Sequence, residues 1–217
     1  MLYLYAITES NRIPAIPGLR GASLKPVGQP GLLAIASEHD ELRLERDEDD
    51  LWAHEQVVEE LMGAGPVLPM RFGSSVADEE AVGAFLHLRR HALESAFERV
   101  RGAVELSVRL AIDPDPAGPG EMATGTAYLL ERLEGERRQR EMTARVHEPL
   151  SSLARASTSW SGEPRRGQWK AAFLVSHDRV EAFTEQVDRL DSELTGGAVV
   201  CTGPWPPYSF SAGESAQ

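Results

Sequence analysis

Gly65-Pro66-Val67-Leu68-Pro69-Met70-Arg71-Phe72-Gly73-Ser74-Ser75 leaves an amphipathic helix, crosses a short apolar run and leads into a second helix near Asp78. Pro66 and Pro69 fix φ and remove two backbone donors. Pro69 also drives Leu68 out of helical angles, so residues 67–72 read as extended. Strand prolines sit at strand starts, edges or bulges, which predicts an edge strand or an irregular crossing. Arg71 is the one charge in this apolar neighbourhood, set between Met70 and Phe72. Its first reading is a structural arginine that pairs within the N-terminal half and fastens the strand to the next helix. The alternative is a partner or anion contact, because a planar donor fork suits carboxylate and phosphate.

Upstream, residues 2–7 are continuously apolar and too short for a helix, which predicts a buried strand. Residues 10–31 are rich in Pro and Gly and read as loop, with one short strand near 24–27. Residues 32–36 form the next strand. A helix over 49–62 carries Leu51, His54, Val58, Leu61 and Met62 near one stripe. His54 is expected half-buried with a local partner. The acids Asp47, Glu48, Asp49 and Asp50 suit a helix N-terminus better than a metal or acid–base site. A second helix spans 78–100, with Val82, Phe85, Leu86, Leu93, Phe97 and Val100 inward. His87 and His91 share its face, but the glutamate and third ligand of a zincin pattern are missing.

Gly102 marks the expected boundary between two domains, 1–101 and 102–202, with 203–217 as a tail. Residues 104–112 alternate apolar and polar side chains, a half-exposed strand. Residues 113–120 read as a stiff loop, and Gly118-Pro119-Gly120 has neither the spacing nor the lysine of a nucleotide loop. A long helix is predicted over 125–154, with a charged middle at 134–141 bridged by Glu/Arg pairs; that segment is also a candidate partner surface. Pro149 should kink or end it. Strands follow at 154–160 and 168–176, joined by a polar turn, then a helix over 180–194 and a strand over 198–202. The second half therefore reads β-α-β-β-α-β, the ferredoxin-like plan. The first half gives β-(β)-β-α-β-α. The fold class is α+β: an N-terminal mixed α/β domain, then a modified ferredoxin-like domain with an extended Pro/aromatic tail.

In that tail, Gly203-Pro204-Trp205-Pro206-Pro207-Tyr208-Ser209-Phe210, three prolines favour extension and three aromatics offer large apolar area. It is read as folding back on its own protein rather than as a free polyproline ligand. The composition is ordinary for a globular chain, with 41% hydrophobic and 26% charged residues. A formal charge of -12 argues against nucleic acid, which needs a basic face. It favours neutral or basic partner surfaces. Cys201 is the single cysteine and reads as a buried structural thiol. No apolar run approaches the ~20 residues of a membrane span, and a cytoplasmic protein without an anchor is expected. No activated nucleophile, ligand cluster or phosphate loop is found, so no catalytic, metal or cofactor residue is assigned.

Pro69-Met70-Arg71-Phe72-Gly73 and the segment Gly203 to Phe210 closely resemble two signatures of the gas vesicle protein F/L family. Tyr3-Leu4-Tyr5 near the start, and Ala53-His54-Glu55 ahead of Val57-Val58, extend the resemblance over nearly the whole chain. It implies two α/β domains and an accessory role in gas vesicle assembly. It implies no enzymatic activity and no cofactor. The expected partners are the major, very hydrophobic shell protein and other gas vesicle accessory proteins, at the gas vesicle in the cytoplasm. The residues set apart as partner contacts or structural signature are Pro69, Met70, Arg71, Phe72, Gly73, Trp205, Pro206, Pro207, Tyr208 and Phe210. The rival reading is a small-molecule-sensing or enzymatic ferredoxin-like protein.

Overall fold

A computed structural model of the chain describes residues 1–41, 48–113, 125–160 and 168–211, with side chains described outside 125–132. Two compact units form: Met1–Val104 together with the C-terminal segment from Trp205, and Glu105–Pro204.

The first unit is built around β1 (Leu2–Thr8), every residue of which is buried. β2 (Leu24–Gln29) and β3 (Leu32–Glu38) form a hairpin around Pro30-Gly31, so the second strand runs longer than the sequence suggested. α1 (Glu48–Ala64) follows, then β4 (Val67–Pro69) and the two-residue β5 (Ser75–Val76). The sheet order is β2-β3-β1-β4, with β5 also on β1. β4 pairs with the end of β1 and β5 with its beginning, both antiparallel. β4 is thus the edge strand that its prolines predict.

Tyr3, Tyr5, Ala6, Ile35 and Val67 from the sheet pack with Leu19 and with Val57, Val58 and Leu61 of α1. A residue-register shift between Leu4 and Ala6 lets Ala6 join Tyr3 and Tyr5 in this cluster. Fully burying one large apolar side chain of this kind contributes ~1.5–3 kcal/mol. The buried face of α1 is Asp50, His54, Val57, Val58 and Leu61. Leu51, expected inward, is 45% exposed. Asp50 takes the inward place because Arg20 Nη2 lies 3.0 Å from its Oδ2.

The predicted single helix over 78–100 is two helices, α2 (Glu79–Leu88) and α3 (Arg90–Val100), hinged at Arg89 with φ -103° and ψ 9°. Asp78 caps α2 by accepting from the Ala81 N–H at 2.9 Å. Val82 and Leu86 of α2, and Leu93, Ala96, Phe97 and Val100 of α3, are buried. Phe85, expected inward, is only partly buried.

The second unit comprises β6 (Ala103–Ile112), α4 (Gly125–Leu153), β7 (Ala156–Ser159), β8 (Gln168–Ser176), α5 (Val180–Glu193) and β9 (Gly197–Trp205). Its sheet order is β7-β8-β6-β9, with β7 and β8 antiparallel. Leu106, Val108 and Leu110 alternate along β6, as do Ala171, Phe173 and Val175 along β8. All pack with Met142, Val146 and Leu150 of α4 and with Phe183 and Val187 of α5. Both helices therefore cover the same face of the sheet. Pro149 lies inside α4, four residues before its end. The charged middle of that helix is exposed, with Arg137 Nε 2.8 Å from Glu141 and Arg140 Nη2 3.9 Å from Glu136. Leu133, at the start of that charged stretch, is 58% exposed. The loop residues 114–120, the turn 161–167 and the acid Asp47 lie outside the described residues.

The final strand does not stop at Thr202 but runs to Trp205, and Tyr208–Ser211 form α6, a single helical turn. The tail is therefore not extended throughout. Pro206 and Pro207 separate strand from turn, and both are buried.

Candidate functional site

The buried ring cluster of the first unit is organised by His54, which α1 turns fully inward. Its Nε2 lies 3.1 Å from the Met70 carbonyl oxygen, which only accepts, so Nε2 carries the proton. Nδ1 is then the acceptor, and the Tyr3 hydroxyl donates to it at 2.8 Å. The Gly73 N–H donates in turn to the Tyr3 oxygen at 3.2 Å. The chain Gly73–Tyr3–His54–Met70 begins and ends within one short stretch, and the Tyr3 oxygen and both His54 nitrogens have partners. Phe72 packs edge-on to Tyr3 and His54, with centroids 6.3 and 5.9 Å apart. Tyr5 stacks on the imidazole at 5.6 Å. His54 is thus fully buried with partners distant in sequence, not the half-buried residue with a local partner that was expected. Burial lowers its pKa from 6.5 to about 4, against a smaller opposing effect of the Met70 carbonyl, so it is neutral. Burial likewise raises the Tyr3 hydroxyl.

A second relay runs beside it. The Leu19 N–H donates to the Tyr5 oxygen at 2.7 Å, and the same hydroxyl lies 2.8 Å from Ser37 Oγ. Gly18 has no Cβ here because one would collide with the Tyr5 hydroxyl and ring.

These bonds shape the stretch 69–75. Met70 still donates its N–H to Tyr5 O at 2.8 Å, and Leu4 donates to Ser74 O at 2.9 Å. Between those anchors the chain leaves β1 in a turn closed by Ser74 N–H to Arg71 O at 3.0 Å. Gly73 takes φ +91°, where a side chain is strained. Extended structure thus stops at Met70, short of the Phe72 predicted. Phe72 folds back onto the rings, while Arg71 stands exposed at the turn. Among the described residues none pairs with the Arg71 side chain, so the structural pairing expected for it is not seen there. The reason is geometric: the turn carries its Cα away from the ladder while the Met70 carbonyl is taken by His54.

The C-terminal signature comes to the same place. The Tyr208 hydroxyl donates to Glu55 Oε1 at 3.0 Å, and Ser211 Oγ to the Pro69 carbonyl at 3.4 Å. α6 lies against α3 and β4, and Phe210 is buried. Burial raises the Glu55 carboxyl pKa, and burial together with Glu55 raises the Tyr208 hydroxyl. Trp205 remains 42% exposed. Sequence reading set these blocks apart but missed the parts played by Tyr3, Glu55 and Ser211. The Tyr-Leu-Tyr and Ala-His-Glu motifs were the available signal.

The other sequence candidates do not gather. His87 and His91 are exposed on different helices, and among the described residues no cluster of three or more metal-ligating side chains forms. Cys201 is partly buried in β9, and burial, with Asp188 behind it, raises its pKa to about 11. It is a poor nucleophile at neutral pH. In the second unit an open cleft of about 540 Å³ is lined by Arg140, His147, Ser159 and Trp169 among others, none of them a predicted site residue. Among the described residues no helix is long and apolar enough to cross a membrane.

Residues 1–212 match the family model described as gas vesicle synthesis protein GvpL/GvpF. The chain belongs to this family. It is 33% identical to gas vesicle protein F of Streptomyces sp. (strain CB03234), over 96% of this chain and 98% of that one. It is 30% identical to gas vesicle protein L of the same strain, over 96% and 92%. Its fold is similar to the crystal structure of the gas vesicle protein GvpF from Anabaena sp. PCC7120, with TM-score 0.84 and 23% identity. That match covers 97% of this chain and 95% of that one. Proteins named F and L both match, so membership stands at the level of the joint GvpL/GvpF family. The family is one of gas vesicle accessory proteins.

Proposed function

We propose that this GvpL/GvpF-family chain is a gas vesicle assembly factor. In this reading it binds the small hydrophobic shell protein and assists its nucleation or keeps it from aggregating. An amphipathic subunit in water aggregates unless its apolar surface is covered, and an acidic carrier can hold it until polymerisation. Membership of the family over residues 1–212 is the observation that carries this reading. Other gas vesicle accessory proteins are further partners, and the place of action is the gas vesicle within the cytoplasm. The protein acts as a binder and not an enzyme.

The contact surface in this proposal is the turn that presents Arg71, flanked by Met70 and Gly73, and the exposed Trp205. Pro69, Phe72, Pro206, Pro207, Tyr208 and Phe210 seat the two segments. Arg71 is exposed and without a described partner in a strongly acidic chain, which leaves its fork available to a carboxylate. We also infer that the two units are domains, broadly 1–101 and 102–202, with residues from 203 as the tail. The second has the element order and strand order of a ferredoxin-like fold.

Light scattering of purified shell protein diluted from denaturant tests the role. Equimolar chain is expected to delay or suppress aggregation. Aggregation unchanged at every ratio would remove the proposal.

A further inference from the structure

The geometry points to the exposed face of α1 as a docking surface for a cationic amphipathic helix, with Trp52 as its anchor. Trp52 is 65% exposed, although a tryptophan on a core-packed helix normally turns inward, and its neighbour Leu51 is 45% exposed. At 100° per residue Glu48, Glu55 and Glu59 fall on the side of α1 that carries Trp52 and opposite His54. Residues 48–64 contain Glu48, Asp49, Asp50, Glu55, Glu59 and Glu60 and no Lys or Arg. Asp50 is buried against Arg20 and Glu55 is engaged by Tyr208, so the outward acids are Glu48, Asp49, Glu59 and Glu60.

A large aromatic ringed by unburied carboxylates selects its partner by both features. Trp supplies contact area at low entropic cost and is enriched at binding hot spots. The surrounding acids reject anionic or neutral-polar helices and attract Lys or Arg flanking an apolar stripe. The occupant is therefore a helix with aliphatic residues along one face and basic residues beside them. This goes beyond the assembly role, because it rests on the chemistry of α1 and not on the identity of the shell protein.

The test uses the full chain and three synthetic helical peptides: a Leu stripe flanked by Arg, the same stripe flanked by Glu, and the Arg peptide scrambled to lose its stripe. Fluorescence anisotropy of the labelled peptide reads binding. The chain is expected to bind the first peptide, to weaken as salt rises, and to ignore the other two. Trp52→Ala should lose at least about tenfold in affinity, and Glu48→Gln/Glu59→Lys should lose affinity and flatten the salt dependence. All three positions are outward, and unchanged melting confirms intact folding. Equal binding of the Arg and Glu peptides, no loss in Trp52→Ala, or no binding by the unaltered chain would overturn the assignment.

Discussion

The Tyr3 hydroxyl donates to His54 Nδ1 at 2.8 Å across 51 positions of sequence, because the Met70 carbonyl fixes the proton on Nε2. Burial of the imidazole disfavours its charged form and depresses the pKa from 6.5 to about 4, against a smaller opposing effect of the Met70 carbonyl. Between those two values the unfolded chain binds the proton and the native chain does not, so stability falls as pH falls through that window.

The first prediction follows in sign and size. Acting alone, His54 removes on the order of 3 kcal/mol between pH 7 and pH 4. Glu55, whose folded pKa is raised, contributes with the opposite sign, so the comparison must be with a His54→Gln variant carrying the same Glu55. Urea unfolding across that range should show the stability gap between the two proteins narrowing in acid. A constant gap would mean that His54 titrates alike in the folded and unfolded chain.

Gly18→Ala places a Cβ against the Tyr5 hydroxyl. Tyr5 must then shift and leave the Leu19 N–H without its acceptor, a buried donor lost at ~1–3 kcal/mol. Thermal melting should fall accordingly, while Gly63→Ala, whose Cβ meets nothing within 4 Å, should hold or raise stability.

Removing residues 205–217 uncovers the β4 edge and deletes buried Phe210 and the Tyr208–Glu55 bond. Loss of at least ~2 kcal/mol is expected, with self-association of the shortened chain through the opened edge. Sedimentation velocity and melting together check this. A monomer of unchanged stability would contradict the packing of the tail.

Several of these relationships lay beyond local sequence pattern. The alternation of β6 puts Leu106, Val108 and Leu110 in the core as predicted, but its other face is not wholly exposed, since Ala103 and Glu105 are buried as well. The N-terminal helix misled because Leu51 is more apolar than Asp50, yet Arg20, from a distant loop, makes the acid the better core residue. Spacing cannot reveal a partner 51 positions away, so His54 read as half-buried. The hinge at Arg89 carries neither Pro nor Gly, and nothing in residues 78–100 announces it. The turn at 71–74 was hidden for a similar reason: two prolines marked an irregular crossing, but its direction is set by Tyr3 and His54. Both signature blocks were legible as sequence, and their meeting around β4 was not.

Arg71→Ala should leave stability within about 0.5 kcal/mol of the parent, since the side chain is exposed and pairs with no described residue. Urea unfolding checks it. A loss of several kcal/mol would restore the structural role first read from the sequence.

Capture of purified shell protein by immobilised full-length chain, beside an Arg71→Glu variant of unchanged melting, tests the assembly role most directly. The account predicts that the parent chain retains shell protein and that charge reversal at Arg71 sharply reduces the amount retained. Failure of the parent chain to retain any shell protein would contradict the binding itself, and equal retention by both would contradict the placement of the contact at Arg71.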